Sequence, residues 1–264
     1  MGFPPPSGGG VASVFTRTGA VTAAAGDYTG VASGSVGIAN LALASASTVA
    51  ITGPGTYFVT GTTAINTVTG AASGCVITLV ASGQAAGICV VLNNATTANA
   101  LNLRDNANLG IYAGESVTFV YNGTYWLESA RALKTVLDYQ QITASVTGTG
   151  AVANVVSASA ITFDGATPIR VEMFSPLVFV NAAGVTITQL LYDGVTAVSQ
   201  LDTQTFGASS GDTAKTLSHR FVPSAASHTY IWKCNGGSGT TQVQAGTGTA
   251  GATAPAFIRI SRDL

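Results

Sequence analysis

The chain has 264 residues, 47% of them apolar and only 8% charged, with a formal net charge of −1. An ordinary globular protein carries about 25% charged residues, so a monomer of this composition would face water with hydroxyls, amides, glycine and alanine, which protect weakly against association. The absence of any Lys/Arg cluster argues against nucleic-acid binding, and no stretch approaches the ~20 apolar residues of a membrane helix, so no membrane insertion is expected.

The deficit of charge is steepest at the start, where residues 1–100 hold only Arg17 and Asp27. That half is expected to bury its surface against copies of itself. The opening MGFPPPSGGG lacks the basic and apolar regions of a signal peptide. It joins a segment biased towards polyproline, Pro4, Pro5 and Pro6, to a flexible Ser-Gly run, and reads either as an anchoring arm or as a disordered tail.

From Val11 to about Arg131, short runs rich in Val, Ile, Thr and aromatics alternate with Gly, Asn and Ser, the pattern of strands joined by tight turns. Thr56–Thr60, Cys75–Val80 and Ser116–Tyr121 are the clearest strands. Asn122-Gly123 predicts a two-residue hairpin turn into a strand from Thr124 to Glu128. No repeat of fixed period is strong enough to name a solenoid. Ala130–Tyr139 concentrates charge and permits a helix, and predicts a linker or one short helix over 132–142. From 143 to 264 the strand pattern resumes in longer pieces, among them Ile169–Phe174, Val185–Tyr192, His228–Cys234 and Ala256–Ile260. At least six strands suffice for a two-sheet sandwich, with a jelly roll the preferred form.

Residues with chemistry are few. Three cysteines, Cys75, Cys89 and Cys234, exclude a fully paired intrachain framework; a Cys75–Cys89 bridge or buried free thiols both fit. Three glutamates and eight aspartates offer no evident pair for glycan cleavage, and Asp27, Asp164 and Asp193, each beside a glycine, suit turns. His219 and His228 lack metal-ligand spacing, no Gly-x-Ser-x-Gly elbow occurs, and no cofactor is implied. Tyr192, Asp193, Tyr230 and Trp232 are candidates for contact with a glycan through ring stacking and hydrogen bonds, although Tyr230 and Trp232 fit the core of a sandwich strand better.

The run Ser13-Val14-Phe15-Thr16-Arg17-Thr18-Gly19-Ala20-Val21-Thr22, followed by Gly26-Asp27-Tyr28-Thr29, resembles a motif of tailed-phage fibres, minor tail proteins and head fibres, with Thr16 where glycine is usual. Ile65–Gly70, Val76–Leu79 and Val117–Trp126 look like a module of phage fibre and tailspike-associated proteins, with Asn122 in place of aspartate. The C-terminal region more loosely resembles a trimeric jelly roll of the complement-C1q or tumour-necrosis-factor type. These resemblances imply an all-β, non-enzymatic homotrimer at the virion surface, assembled in the bacterial cytoplasm. Its parts would be an anchoring arm and motif at 1–30, a β-rich intertwined module at 31–131, a linker at 132–142 and a sandwich head at 143–264. Phe3, Pro4, Pro5, Pro6, Val14, Phe15 and Arg17 would contact other virion proteins, and the head would contact host glycans. A capsid decoration protein or head fibre, and a glycan-cleaving tailspike, are the competing readings.

Overall fold

The structure is a computed structural model that describes residues 13–14, 17–18, 41–83, 88–94, 96–149, 151–207, 213–237 and 239–263. The chain divides into two units, Met1–Ala39 and Asn40–Leu264. In the first, β1 (Ser13–Val14) pairs antiparallel with β2 (Arg17–Thr18), setting Val14 opposite Arg17. Of the expected anchoring residues, Phe3, Pro4, Pro5, Pro6 and Phe15 lie outside the described residues, and Val14 and Arg17 are placed by their backbone pairing.

The second unit begins with a lobe of ten strands: β3 (Leu41–Ala44), β4 (Thr48–Ala50), β5 (Gly55–Thr60), β6 (Thr67–Thr69), β7 (Val76–Ala81), β8 (Cys89–Val91), β9 (Leu101–Asn102), β10 (Leu109–Ile111), β11 (Ser116–Tyr121) and β12 (Trp126–Ala132). The main sheet runs β3-β5-β7-β11-β12-β9, and β3, β5 and β7 are parallel neighbours. Between them β4 pairs in parallel with β6, and Ile65 bridges Val91 in the same sense. A parallel neighbour needs a connection that crosses back, so this part of the chain winds as coils around Val49, Tyr57, Val59, Ile65, Val68, Ile77 and Leu79, all buried. The winding is solenoid-like. Leu41 faces Tyr57 but Gly55 faces Ile77, offsets of 16 and 22 residues, so the coils differ in length and leave no fixed period in the sequence.

Two local features hold the coils. Trp126 is fully buried and its Nε1 donates to the Val68 carbonyl at 2.8 Å, tying β12 to the winding strands. Gly70, at φ +94°, sits so close to Ile51 that a Cβ would lie 2.3 Å from its carbonyl oxygen, so both the left-handed backbone and the contact exclude a side chain. The β11–β12 hairpin forms at Asn122-Gly123, with a longer loop than the two residues expected: Tyr121 pairs with Trp126. Asn122 Oδ1 accepts from the backbone of Thr124 and Tyr125 at 2.9 and 2.7 Å, the local bonding for which asparagine is favoured in turns.

The second lobe holds β13 (Val136–Ile142), β14 (Val146–Thr149), β15 (Val152–Ser157), β16 (Ile161–Thr162), β17 (Ile169–Val180), β18 (Thr186–Asp193), β19 (Thr196–Thr205), β20 (Thr213–Phe221), β21 (Ser227–His228), β22 (Tyr230–Gly236), β23 (Thr240–Gln244) and β24 (Ala256–Arg262). The linker expected at 132–142 is therefore strand from Val136 onward, because Val136, Tyr139 and Ile142 favour a pleated surface and the segment finds a full antiparallel partner in β24. No helix occurs among the described residues.

One sheet runs β13-β24-β17-β20, extended along the far half of β17 by β23 and β14; the other runs β15-β22-β18-β19. Numbering only the eight main strands in chain order, the sheets read 1-8-3-6 and 2-7-4-5, the jelly-roll order. Val171, Met173, Ile187, Leu191, Trp232, Ile258 and Ile260 fill the space between them. Pro176 sits where the β17–β20 register slips between Ser175 and Val178, a place that needs no N–H in the ladder.

The lobes of this unit are joined by buried polar contacts. Arg262, at the end of the last strand, donates to Glu115 Oε2 at 2.7 Å and to the Gly110 carbonyl at 2.9 Å, with the two charged side chains 2% and 1% exposed. Glu115 also accepts from the backbone N–H of Tyr112 and Lys134. Asp164 Oδ2 accepts from Gly110 N–H at 2.6 Å, and Tyr112 Oη donates to the Thr162 carbonyl at 2.7 Å. Burial pushes the Tyr112 phenol well above its ordinary pKa.

Candidate functional site

Strand alternation gives the sandwich two outward faces of different chemistry. On the sheet β13-β24-β17-β20, Tyr139, Phe257 and Phe174 form a row across three strands, with Tyr139–Phe257 centroids 5.2 Å apart and Phe174–Phe257 stacked at 5.4 Å. Register explains the row: Phe174 lies directly opposite Phe257 and Tyr139 sits diagonally from it. Tyr139 is 45% exposed, and both phenylalanines are half-buried. Beside the row Arg259 Nη2 donates to both Glu172 oxygens at 2.9 and 2.8 Å, while its Nε, shielded from solvent, finds no acceptor. Sequence reasoning missed this row because its three members are far apart in the chain; the alternation within each strand was the available signal.

The outward face of β15-β22-β18-β19 mixes amides, hydroxyls and one ammonium with the aliphatic side chains of Val152, Leu190 and Ile231. Asn154, Lys233, Leu190 and Gln200 form one cross-strand row, and Val152, Asn235, Thr188 and Thr203 form the next. Tyr192 is half-buried on this face, and Lys233 Nζ lies 4.0 Å from its ring centroid. The expected glycan contacts therefore separate. Tyr192 keeps a surface position. Tyr230 and Trp232 are 1% and 0% exposed and belong to the core, a correction that follows from the pleat: on β22, Tyr230, Trp232 and Cys234 point inward, and Ile231, Lys233 and Asn235 outward. Trp232 Nε1 donates to buried Gln189 Oε1 at 2.7 Å, which gives the indole its required partner.

Asp193 serves a hairpin and a tether together. Gly194 follows it at φ +56°, while the carboxylate accepts from Thr229 N–H at 3.1 Å and faces His228 Nδ1 at 2.5 Å. His228 Nε2 in turn lies 3.1 Å from Ser224 Oγ and 3.0 Å from the Ser224 carbonyl oxygen. Nothing local in the sequence signals this Asp-His-Ser line, since Asp193 stands 35 residues from His228. Ser224 offers Nε2 both a hydroxyl and a carbonyl oxygen, and the ring tautomer decides whether Nε2 donates to the carbonyl or accepts from the hydroxyl.

Other chemical groups are already engaged. Each described carboxylate is held by a cation, an imidazole or backbone N–H, from Asp105 on Arg131 to Asp138 on Ser159 N–H and Asp263 between Arg170 and Arg220. No group of three or more His, Cys, Asp or Glu suited to a metal occurs among the described residues. Cys75, Cys89 and Cys234 are free thiols, and burial pushes Cys89 and Cys234 up to about 11, which suppresses the thiolate needed for reaction or ligation.

No protein-family model and no curated protein matches this chain. Among solved structures, the infectious bursal disease virus VP2 subviral particle is similar at TM-score 0.28 and 12% identity over 59% of this chain and 50% of that one. The Gt strain of the same virus gives TM-score 0.25 and 14% identity, over 64% and 51%. A carbohydrate binding module from Cellvibrio mixtus lichenase 5A, solved with cellotriose, gives 0.21 and 22%, over 49% and 90%. This chain thus spans about half the length of the two virus chains. Likeness at this level carries neither fold nor function, and the fold rests on the strand order.

Proposed function

We propose that this chain is a non-enzymatic, homotrimeric component of a tailed-phage virion surface, held to other virion proteins through its first 30 residues and attaching the particle to host glycans. The observation that carries the reading is the aromatic row Tyr139–Phe257–Phe174 on an outward sheet face. Three rings in contact across neighbouring strands on a surface facet suit a partner of matching chemistry better than water. The low charge of the chain and the motif around Arg17 point the same way. The non-enzymatic part draws support from the engaged carboxylates.

The test is a double variant, Tyr139→Ser with Phe257→Thr, compared with the parent chain for assembly and for adhesion to host cells. The parent is expected to sediment as a trimer and adhere; the variant is expected to fall to monomer and lose most adhesion, because three weak sites act together. A variant as assembled and adherent as the parent would contradict the reading. Incubation with host polysaccharide is expected to release no reducing ends, and labelling of Ser224 by a serine-reactive phosphonate would overturn the non-enzymatic part.

A further inference from the structure

We propose that the outward face of β22 and β18 binds a carboxylate-bearing sugar, with Lys233 supplying the counter-charge. The inference rests on the attachment reading only for the source of that sugar, a host glycan.

Lys233 differs from the other cations whose side chains are described. Arg104, Arg131, Arg170, Lys215, Arg220, Arg259 and Arg262 all have a carboxylate partner, and Lys134 Nζ donates to the Ala113 carbonyl. Among the described residues Lys233 has neither kind of partner. Its ammonium rests over the Tyr192 ring, 4.0 Å from the centroid, and a cation held on a ring face keeps hydrogens to spare for an anion. Tyr192 places it there because Lys233 pairs directly with Leu190 and thus lies diagonally from Tyr192 across the sheet.

The same contact changes what the face can recognise. Lys233 covers the ring where a neutral sugar would stack, so the face offers a positive charge instead of an open aromatic platform. Its surroundings suit the rest of a sugar. Asn154 stands opposite Lys233, Gln200 Nε2 donates to Thr203 Oγ1 at 2.9 Å, and Thr203 Oγ1 donates to Thr188 Oγ1 at 3.3 Å. A single ammonium amid amides and hydroxyls matches one carboxylate on a polyhydroxylated ring. A phosphate dianion would call for several cations or a nest of backbone N–H groups.

The experiment is calorimetric titration of the full chain with a galacturonic acid hexamer, its fully methyl-esterified form, and glucose 6-phosphate. The expected result is weak binding of the acid hexamer, at least tenfold weaker binding of the ester, loss of acid binding in Lys233→Gln and its retention in Lys233→Arg and Tyr192→Phe. Raised salt is expected to weaken the acid complex. Equal affinity for acid and ester, tighter binding of the phosphate, or unchanged binding by Lys233→Gln would overturn the inference. Adhesion to host cells is scored separately: acid binding by a chain that fails to adhere supports the site and sinks the attachment reading, whereas adhesion with no acid binding sinks the site alone.

Discussion

The free thiols show how burial sets chemistry one side chain at a time. Cys89 and Cys234 lie inside the two lobes with no room for solvent around the sulfur. Desolvation disfavours their thiolates and lifts both to about 11 from an ordinary 9.0. The folded value lies above the unfolded one, so the contribution is complete below pH 9 and is lost as pH rises through 11. Urea midpoints are therefore expected to fall between pH 8 and pH 11, and to fall less in a Cys89→Ala, Cys234→Ala variant. Identical pH profiles for parent and variant would contradict the assignment. The buried phenols of Tyr112 and Tyr230, raised by the same desolvation, extend the loss to still higher pH.

Among the elements, the last strand matters most to the joining of the two lobes, because Arg262 reaches from β24 to Glu115 in the turn before β11. Removing one member leaves the other charge buried without its partner, which costs about 3–5 kcal/mol. Arg262→Ala is expected to lower the urea-unfolding free energy by that amount; a loss under about 1 kcal/mol would show the pair to be dispensable. The strands themselves were legible in the sequence. Thr56–Thr60 and Ser116–Tyr121 fall within or on β5 and β11, and the C-terminal runs became β17, β18, β22 and β24. β-Branched and aromatic residues bounded by Gly and Asn carry that signal locally. What depends on distant pairing was hidden. The solenoid-like coils vary in length, β13 is strand only because β24 lies beside it, and Asp193 meets His228 only after the sheet has formed. The inward turn of Trp232 and outward turn of Lys233 were readable from the alternation of β22, which also separates the core from the candidate binding face.

At the scale of the molecule, a chain with 8% charged residues has two ways to stay soluble: a surface of hydroxyls and amides, or burial against its own copies. The two sheets of the sandwich differ in this respect, with Thr, Asn and Gln on the face around Lys233 and rings on the face around Phe257, the face that the proposed trimer would bury. An assembly through the aromatic face leaves the polar face outward on every copy, which suits weak binding multiplied by number. Light scattering on the purified chain at about 10 μM, a concentration at which standard interfaces are saturated, measures that claim directly. A mass three times that of one chain is the expected result, and a monomer at that concentration would contradict it.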